Sequence, residues 1–222
     1  MKTWFGLWLA VVAMATPVWA QSTQAAPFKT AHWRCQITAS GMTIPSETWF
    51  RAPGRFRTVI NVGGHEMVSL INGNDVYFFP SGSFIGMKLD RAAARQMTGG
   101  VESDELIQQM QRWKNTGRKL GSETLAGREC DIFEINETVN GEATKGKVWL
   151  WKKNSFPLRA TLQIGSLAAE MKMGDVELDV PVADELFQVP PNMQFQDMGG
   201  LMKLLPELQQ LQQIPGLSGK KP

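Results

Sequence analysis

The sequence predicts an α+β domain dominated by one large antiparallel β-sheet, and three observations point to it. Short segments of alternating apolar and polar residues recur along most of the chain. Short turns containing Gly, Pro or Asn separate many of them, and tight turns join only antiparallel neighbours. Between the early and the late strands, residues 90–113 change to helical spacing. About ten strands with helices inserted in the middle form a single domain without a visible linker or repeat.

Residues 1–20 have the features of a cleaved export signal. A lysine at the second position precedes an apolar run, and the small residues Val18 and Ala20 lie where a signal peptidase reads the chain. The run is shorter than a membrane-spanning helix requires, although a retained N-terminal anchor is the alternative. Gln21, the expected first mature residue, cannot carry the lipid of a lipoprotein because it is not a cysteine. We therefore expect a protein released into the periplasm.

The charge balance argues against a nucleic-acid-binding role. The chain has 23 basic and 21 acidic residues, a formal charge of +2, whereas a nucleic-acid surface needs a strongly basic face. Twelve Met and eight Trp contrast with a single Tyr. Methionine suits a surface that adapts to variable apolar shapes, but it also fills ordinary cores, and the composition leaves both interpretations open.

Cys35 and Cys130 are the two cysteines of the chain. In an oxidising compartment an even number of cysteines favours a disulfide, so we expect these two to pair. The bond would close a loop of about 95 residues and stabilise the fold by about 4–5 kcal/mol in the chain-entropy model. His32 and His65 have no partner at metal-ligand spacing, so we expect neither a metal site nor a cofactor.

Ten strands are predicted in two groups on either side of the helical segment. Asn72-Gly73 is the clearest hairpin signal, and Gly165 and Gly174 mark expected turn or bulge positions. The predicted strands are residues 30–40, 43–52, 55–62, 65–71 and 75–80 in the first group, and residues 120–125, 128–139, 145–153, 158–164 and 168–180 in the second.

Two helices are expected between the two groups of strands. Asp90 can cap the first, over residues 91–97. Ser103 can cap the second, which runs to about Trp113 and presents Met110 on its apolar face. An amphipathic helix beside a sheet normally covers the core.

Residues 199–222 form a separate C-terminal apolar helix and tail. Leucines recur there at helical spacing, opposite a face of glutamines. A final helix docked on the sheet is the simplest interpretation, while a lid, a partner-binding helix and a membrane-surface helix are alternatives. The leucines are Leu201, Leu204, Leu205, Leu208 and Leu211.

No motif in the sequence has the spacing of a catalytic site, so we expect a protein that is not an enzyme. Residues 82–86 resemble a nucleophile elbow, but Ser83 directly follows the first glycine and breaks the spacing. Residues 141–147 fit a phosphate-binding loop, but Val148 replaces the hydroxyl residue that would bind magnesium. That segment also lies inside a predicted hairpin.

The strands instead carry a surplus of apolar and aromatic side chains. If the inserted helices cover this face completely, it is an ordinary core; a gap would leave an apolar cavity, the usual form of a ligand site. Such a cavity suits acyl chains, which are recognised by burial rather than by hydrogen bonds. The expected lining residues are Trp49, Phe56, Ile60, Phe78, Met110, Trp149, Trp151, Leu158 and Met171.

Several segments together resemble the periplasmic lipoprotein carriers and their relatives. The resemblance depends on residues 120–130 (LGSETLAGREC), 148–151 (VWLW), 156–159 (FPLR) and 180–190 (VPVADELFQVP), and it covers most of the mature chain. This LolA/LolB-like family sorts lipoproteins to the outer membrane. The resemblance implies that residues 21–198 form an incomplete, curved antiparallel β-barrel, closed by helices around an apolar cavity.

The resemblance also implies a function. Lipid or lipoprotein acyl chains would occupy the cavity of a soluble carrier or sensor. In the carriers a strand arginine helps to hold a lid closed, and Arg51, Arg55 and Arg57 lie in the corresponding early strands, with none aligned uniquely. The alternative function is an envelope interaction module that docks a membrane-protein partner through residues 199–222.

Overall fold

The computed structural model describes residues 28–97, 113–139 and 142–198. The expected export signal (1–20), most of the second inserted helix with its Met110, and the C-terminal segment 199–222 lie outside these residues.

The first half of the sheet is a six-stranded antiparallel meander followed by a short helix. Its strands are β1 (Thr30–Ala39), β2 (Met42–Arg51), β3 (Arg55–Val62), β4 (His65–Asn72), β5 (Asp75–Pro80) and β6 (Ile85–Asp90). Helix α1 (Arg91–Met97) begins after Asp90, whose Oδ1 accepts a hydrogen bond from the Ala93 N–H at 2.7 Å. The predicted cap and helix are confirmed, because this carboxylate satisfies an N–H that has no partner within the helix.

The second half contributes five antiparallel strands and one final short strand. They are β7 (Arg118–Leu125), β8 (Arg128–Val139), β9 (Glu142–Trp151), β10 (Pro157–Ile164), β11 (Leu167–Leu178) and β12 (Gln194–Asp197). β11 pairs with β1 and so joins the two halves. A 3-10 helix (Asp184–Phe187) lies between β11 and β12, and β12 pairs in parallel with β6.

The structure corrects the predicted fold class in two respects. The twelve strands form one curved, unclosed sheet in the order β12-β6-β5-β4-β3-β2-β1-β11-β10-β9-β8-β7. The described residues are also mostly strand, so the fold is more β than α+β. Two strands escape prediction for physical reasons. β6 begins among turn-forming residues, beside Gly82 and Gly86, and β12 has only four residues.

Strand alternation gives the sheet an inner and an outer face. We call the inner face the one that carries Trp33, Phe50 and Phe56; the opposite, outer face carries His32 and Trp49. At one end of the inner face the aromatic rings are in contact. Phe50 and Phe56 have centroids 4.9 Å apart, and Trp33 meets Phe156 edge-on at 5.6 Å. This end is a filled core, because these four rings are completely buried.

A segment near the C-terminus covers the outer face of the first half. Residues 179–195, here called the outer strap, leave β11, form the 3-10 helix and lead into β12. Val182 and Phe187 of the strap are buried in a second apolar cluster with Val68, Leu70 and Phe79. The first half of the sheet is therefore packed on both faces.

The predicted disulfide between Cys35 and Cys130 is wrong for this structure, in which both thiols are free and buried. Cys35 points to the inner face, whereas the register through β9, β10 and β11 puts Cys130 on the outer face. β1 and β8 are also four positions apart in the sheet. That separation is about 19 Å at ordinary strand spacing, and a disulfide needs Cα atoms about 4.4–6.8 Å apart.

Candidate functional site

On two strands of the first half, β2 and β6, the exposure of the inner-face side chains rises from one end of the strand to the other. We call the end with the turns at residues 40–41, 63–64, 81–84 and 165–166 the rim, and the opposite end the closed end. Along β2, inner-face exposure increases from 0% at Phe50 to 40% at Met42. Along β6 it increases from 0% at Leu89 to 58% at Ile85. On β2 and β6 the inner face is thus buried at the closed end and exposed at the rim, whereas Ile37, Ala39 and Ile60 on the neighbouring strands remain buried.

A set of half-buried apolar side chains occupies the rim half of the inner face. They come from six strands, and five of the seven are methionine or phenylalanine. A contiguous, partly exposed apolar surface of this kind marks an interaction or ligand site more often than chance exposure does. This apolar rim face consists of Ile44, Met67, Phe78, Met87, Leu162, Met171 and Met173.

Strand register explains why these side chains meet. Met171 lies opposite Ile37 on β1, and Ile37 lies opposite Ile44 on β2. Phe78 lies opposite Met87 in the same way. Cross-strand pairs put side chains about 4.5–5.5 Å apart, so residues remote in the sequence become one surface. Methionine supplies much of it, and its unbranched, polarizable side chain can repack around different apolar shapes.

Five of the nine predicted lining residues lie on the inner face. Phe56 and Leu158 are buried towards the closed end, and Ile60 is buried nearer the rim. Phe78 and Met171 belong to the apolar rim face. Met110 lies outside the described residues.

Trp149 and Trp151 lie on the outer face, where polar partners hold them. The Trp149 Nε1–H donates to Glu123 Oε2 at 2.6 Å, and the Arg159 guanidinium lies 4.9 Å from the centre of the Trp149 ring. Arg128 lies 5.0 Å from the centre of the Trp151 ring. Such cation–π contacts stabilise both rings. Trp149 is also a buried member of the main apolar cluster, and Trp151 packs against that cluster.

Trp49 also belongs to the outer face. Its ring stacks on His32 with centroids 5.3 Å apart and an interplanar angle of 19°. The two ring nitrogens of His32 contact Glu47 at 2.8 Å and Glu177 at 3.2 Å. The register thus places all three tryptophans on the outer face, whereas the sequence prediction grouped them with inner-face residues, since composition identifies an aromatic strand residue but not the face to which it points.

Arg51 and Arg55 bind the outer strap. Both guanidinium groups pair with the Asp184 carboxylate, and Arg51 also donates to the Val182 carbonyl oxygen. The hydrogen bond from Arg51, with the nearby charge of Arg55, holds the pKa of Asp184 below its usual value. Arg57 lies on the same face, and burial lowers its pKa. These contacts assign Arg51 and Arg55 a role in anchoring the strap.

Five residues of the apolar rim face were not among the predicted lining residues: Ile44, Met67, Met87, Leu162 and Met173. Met67 has the same strand parity as Ile71, and Leu162 has that of Leu158, so alternation alone could have indicated both. Met87 could not be predicted as a lining residue because β6 carries no clear strand signal.

Within residues 28–97, 113–139 and 142–198, no group of three or more His, Cys, Asp or Glu side chains could hold a metal ion.

The described part of the chain contains no helix long and apolar enough to cross a membrane. No protein-family model matches the chain, and no curated protein matches it.

Solved structures, in contrast, share its fold. A chain of the Pseudomonas aeruginosa MucA/MucB complex is 16% identical over 74% of this chain, with a TM-score of 0.52. The fold is LolA-like. Other matches are Mycobacterium tuberculosis lipoprotein LppX, 12% identical over 80% of this chain and 95% of its own (TM-score 0.46), and the LolA superfamily protein NE2245 from Nitrosomonas europaea, 11% identical over 83% and 98% (TM-score 0.34).

The LolA-like resemblance expected from the sequence is therefore confirmed as a fold. At these identities the likeness establishes the architecture alone. The chain spans 57% of the MucA/MucB chain that it matches.

Proposed function

We propose that this LolA-like protein binds the acyl chains of lipids or lipoproteins on its apolar rim face, as a periplasmic carrier or sensor that catalyses no reaction. The observation that carries the proposal is the exposure gradient of the inner face. A domain that needed this face only as a core would bury Met42 and Ile85 at the rim, as it buries Phe50 and Leu89 at the closed end.

The chemistry of the apolar rim face fits a hydrocarbon ligand. Its seven side chains carry no charge and no hydrogen-bonding group stronger than a thioether. Each buried methylene contributes about 0.8 kcal/mol, so about ten methylenes supply about 8 kcal/mol before the cost of association is subtracted. A single acyl chain is therefore sufficient for measurable affinity.

The expected export signal at residues 1–20 supports a periplasmic location. We propose that the mature protein acts there as a carrier or sensor of acyl chains.

The test is binding of acyl lipids by the purified protein and by two matched variants. Organic extracts are analysed by mass spectrometry, and a fluorescent fatty acid is titrated. Leu162→Lys places a charge on the apolar rim face, whereas Gln163→Lys places the same charge at the adjacent exposed position of β10. We expect wild type and Gln163→Lys to bind saturably and Leu162→Lys to bind at least tenfold more weakly. No co-purified lipid and no saturable binding by wild type would contradict the proposal.

The likeness to a chain of the MucA/MucB complex favours a second candidate, an envelope module that docks a protein partner. In this second candidate function, residues 199–222 contact the partner protein. Removing them after Met198 separates the two functions. Loss of a cross-linked envelope partner with unchanged lipid binding would support the module, and loss of lipid binding with an unchanged partner would contradict it.

A further inference from the structure

Methionine side chains are concentrated on the inner face near the rim. Four of the seven residues of the apolar rim face are methionines, and Met42 adds a fifth on the inner face of β2, where it is 40% exposed. None of the five side chains is buried, so a molecule as small as a peroxide can reach their thioethers. We call these residues the rim methionines: Met42, Met67, Met87, Met171 and Met173.

The two thiols of the chain are, in contrast, protected from oxidation. Cys35 and Cys130 are at most 1% exposed. Burial raises the pKa of the Cys35 thiol to about 12 and also raises the pKa of Cys130. Because the thiolate is the form of cysteine that reacts with an oxidant, neither residue reacts readily in the folded protein. In the described part of the chain, the sulfur that solvent reaches is therefore the sulfur of methionine.

The reaction at each rim methionine is a balanced two-electron oxidation. A lone pair of the thioether sulfur attacks one oxygen of hydrogen peroxide, and the O–O bond breaks as the S–O bond forms. Methionine becomes methionine sulfoxide, and the departing hydroxide takes the proton of the transferred oxygen and becomes water. Sulfoxide reductases reverse the change by removing the oxygen as water while a dithiol is oxidised to a disulfide, with one enzyme for each sulfoxide epimer. The modification is thus reversible.

Oxidation changes what the apolar rim face can bind. A thioether is a weak acceptor, whereas a sulfoxide is a polar group whose oxygen needs a hydrogen-bond donor when it is removed from water. The other three members of the face, Ile44, Phe78 and Leu162, have no donor in their side chains. A hydrocarbon on an oxidised face would therefore bury sulfoxide oxygens without partners.

We propose that the rim methionines are reversible oxidation sites, through which peroxide makes the apolar rim face polar and releases its apolar ligand. The inference rests on the proposed acyl-chain binding and adds its regulation. The expected periplasmic location supports it, since that compartment is oxidising. The polarizable side chain that adapts to apolar ligands is thus also the group that makes their binding sensitive to oxidation.

The experiment measures binding of a fluorescent fatty acid before and after treatment with hydrogen peroxide, and peptide mass spectrometry locates the sulfoxides. In wild type we expect sulfoxides at the rim methionines and at least tenfold weaker binding, restored by methionine sulfoxide reductases A and B with dithiothreitol. Leucine keeps the apolar volume and cannot be oxidised, so binding by a resistant variant should change less than twofold. The resistant variant combines Met42→Leu, Met67→Leu, Met87→Leu, Met171→Leu and Met173→Leu.

Met193→Leu is the matched control. Met193 is also half-buried, but it packs against the second apolar cluster on the outer face, so this variant should lose binding on oxidation as wild type does. Met171→Leu combined with Met173→Leu serves if five changes prevent folding, and it should lose less affinity than wild type. Sulfoxides at the rim methionines with unchanged binding, or equal losses in wild type and the resistant variant, would overturn the proposal.

A second measurement separates this inference from the proposed function. Retention on a hydrophobic-interaction column reports the apolar surface without any acyl ligand. If untreated wild type binds no fatty acid, the proposed function fails, whereas earlier elution of oxidised wild type, but not of the oxidised resistant variant, would still support the oxidation sites. Equal elution of oxidised and untreated wild type would contradict the change in polarity.

Discussion

Arg55 Nη1 lies 3.0 Å from Asp184 Oδ1, although 129 positions separate the two residues in the chain. The contact joins β3 to the 3-10 helix of the outer strap, and Arg51 from the end of β2 binds the same carboxylate. Asp184 is thus the point at which the strap is attached electrostatically to the first half of the sheet.

Asp184→Asn should loosen the outer strap in a pH-dependent manner. Arg51 and Arg55 lower the pKa of Asp184 in the folded state, so its ion pairs stabilise the fold fully above about pH 4, and that stabilisation is lost as the pH falls through the lowered pKa. Thermal unfolding should therefore show a larger difference from wild type at pH 7 than at pH 3. Glu185→Gln, at the next and equally exposed position, is the control and should show no such difference.

Phe187→Ala tests the apolar side of the same attachment. Phe187 is 1% exposed and packs in the cluster with Val68, Leu70 and Phe79. Truncating a buried Phe to Ala removes about 3–5 kcal/mol of unfolding free energy, measurable by urea denaturation. Gln188→Ala, at the exposed position that follows, should change it by less than about 0.5 kcal/mol. A similarly small change for Phe187→Ala would show that the strap is not packed on the sheet.

Asp90→Ala should destabilise the start of α1. Its carboxylate accepts a hydrogen bond from the Ala93 N–H, and loss of such a cap removes about 1 kcal/mol. Asp90→Ser keeps a capping oxygen and should recover most of the loss. Equal destabilisation by both substitutions, in chemical denaturation at neutral pH, would assign the effect to something other than capping.

Gly146→Ala should strain the contact between β9 and β10. Gly146 has a φ of +155°, and an added Cβ would lie 1.9 Å from the Thr161 carbonyl oxygen, a backbone atom that can move only with its strand. Overpacking of this kind removes about 1–3 kcal/mol of unfolding free energy. Gly174→Ala is the matched control, because a Cβ there meets no atom within 4 Å. Comparable losses in the two variants would contradict the close approach.

The free thiols can be tested by alkylation. Burial raises the pKa of the Cys35 thiol to about 12, so almost no thiolate forms at pH 8 and the folded protein should react slowly there. Unfolding in denaturant without a reductant should allow iodoacetamide to label both Cys35 and Cys130. If labelling required a reductant, the two thiols would be joined in the purified protein after all.

The sequence was most informative where a single residue type determines the local backbone conformation. Asn72-Gly73 predicts a turn between β4 and β5, and Asp90 predicts the start of α1; both depend only on neighbouring backbone. Gly174 marks an irregularity in the pairing of β1 with β11, as expected of a bulge position.

What could not be predicted depends on long-range register. Whether Trp149 faces inwards follows from the pairing of β9 with β10, and no short segment encodes that pairing. The separation of Cys35 from Cys130 likewise follows from strand order. An argument from the compartment and the number of cysteines contains no information about strand order.

The pairing of β1 with β11 has a consequence for the order of folding. Strand β1 pairs with β11, which is synthesised about 140 residues after it, since Cys35 lies opposite Met173. Each half can form its hairpins locally, but the sheet becomes continuous only after a large loop has closed, a slow step in folding. β6 pairs with β12, which is synthesised about 110 residues after it, since Ile85 lies opposite Gln194. A chain that emerges N-terminus first therefore presents two unfinished edges until nearly all of it has arrived, and a delay in that arrival prolongs its exposure to edge-to-edge aggregation.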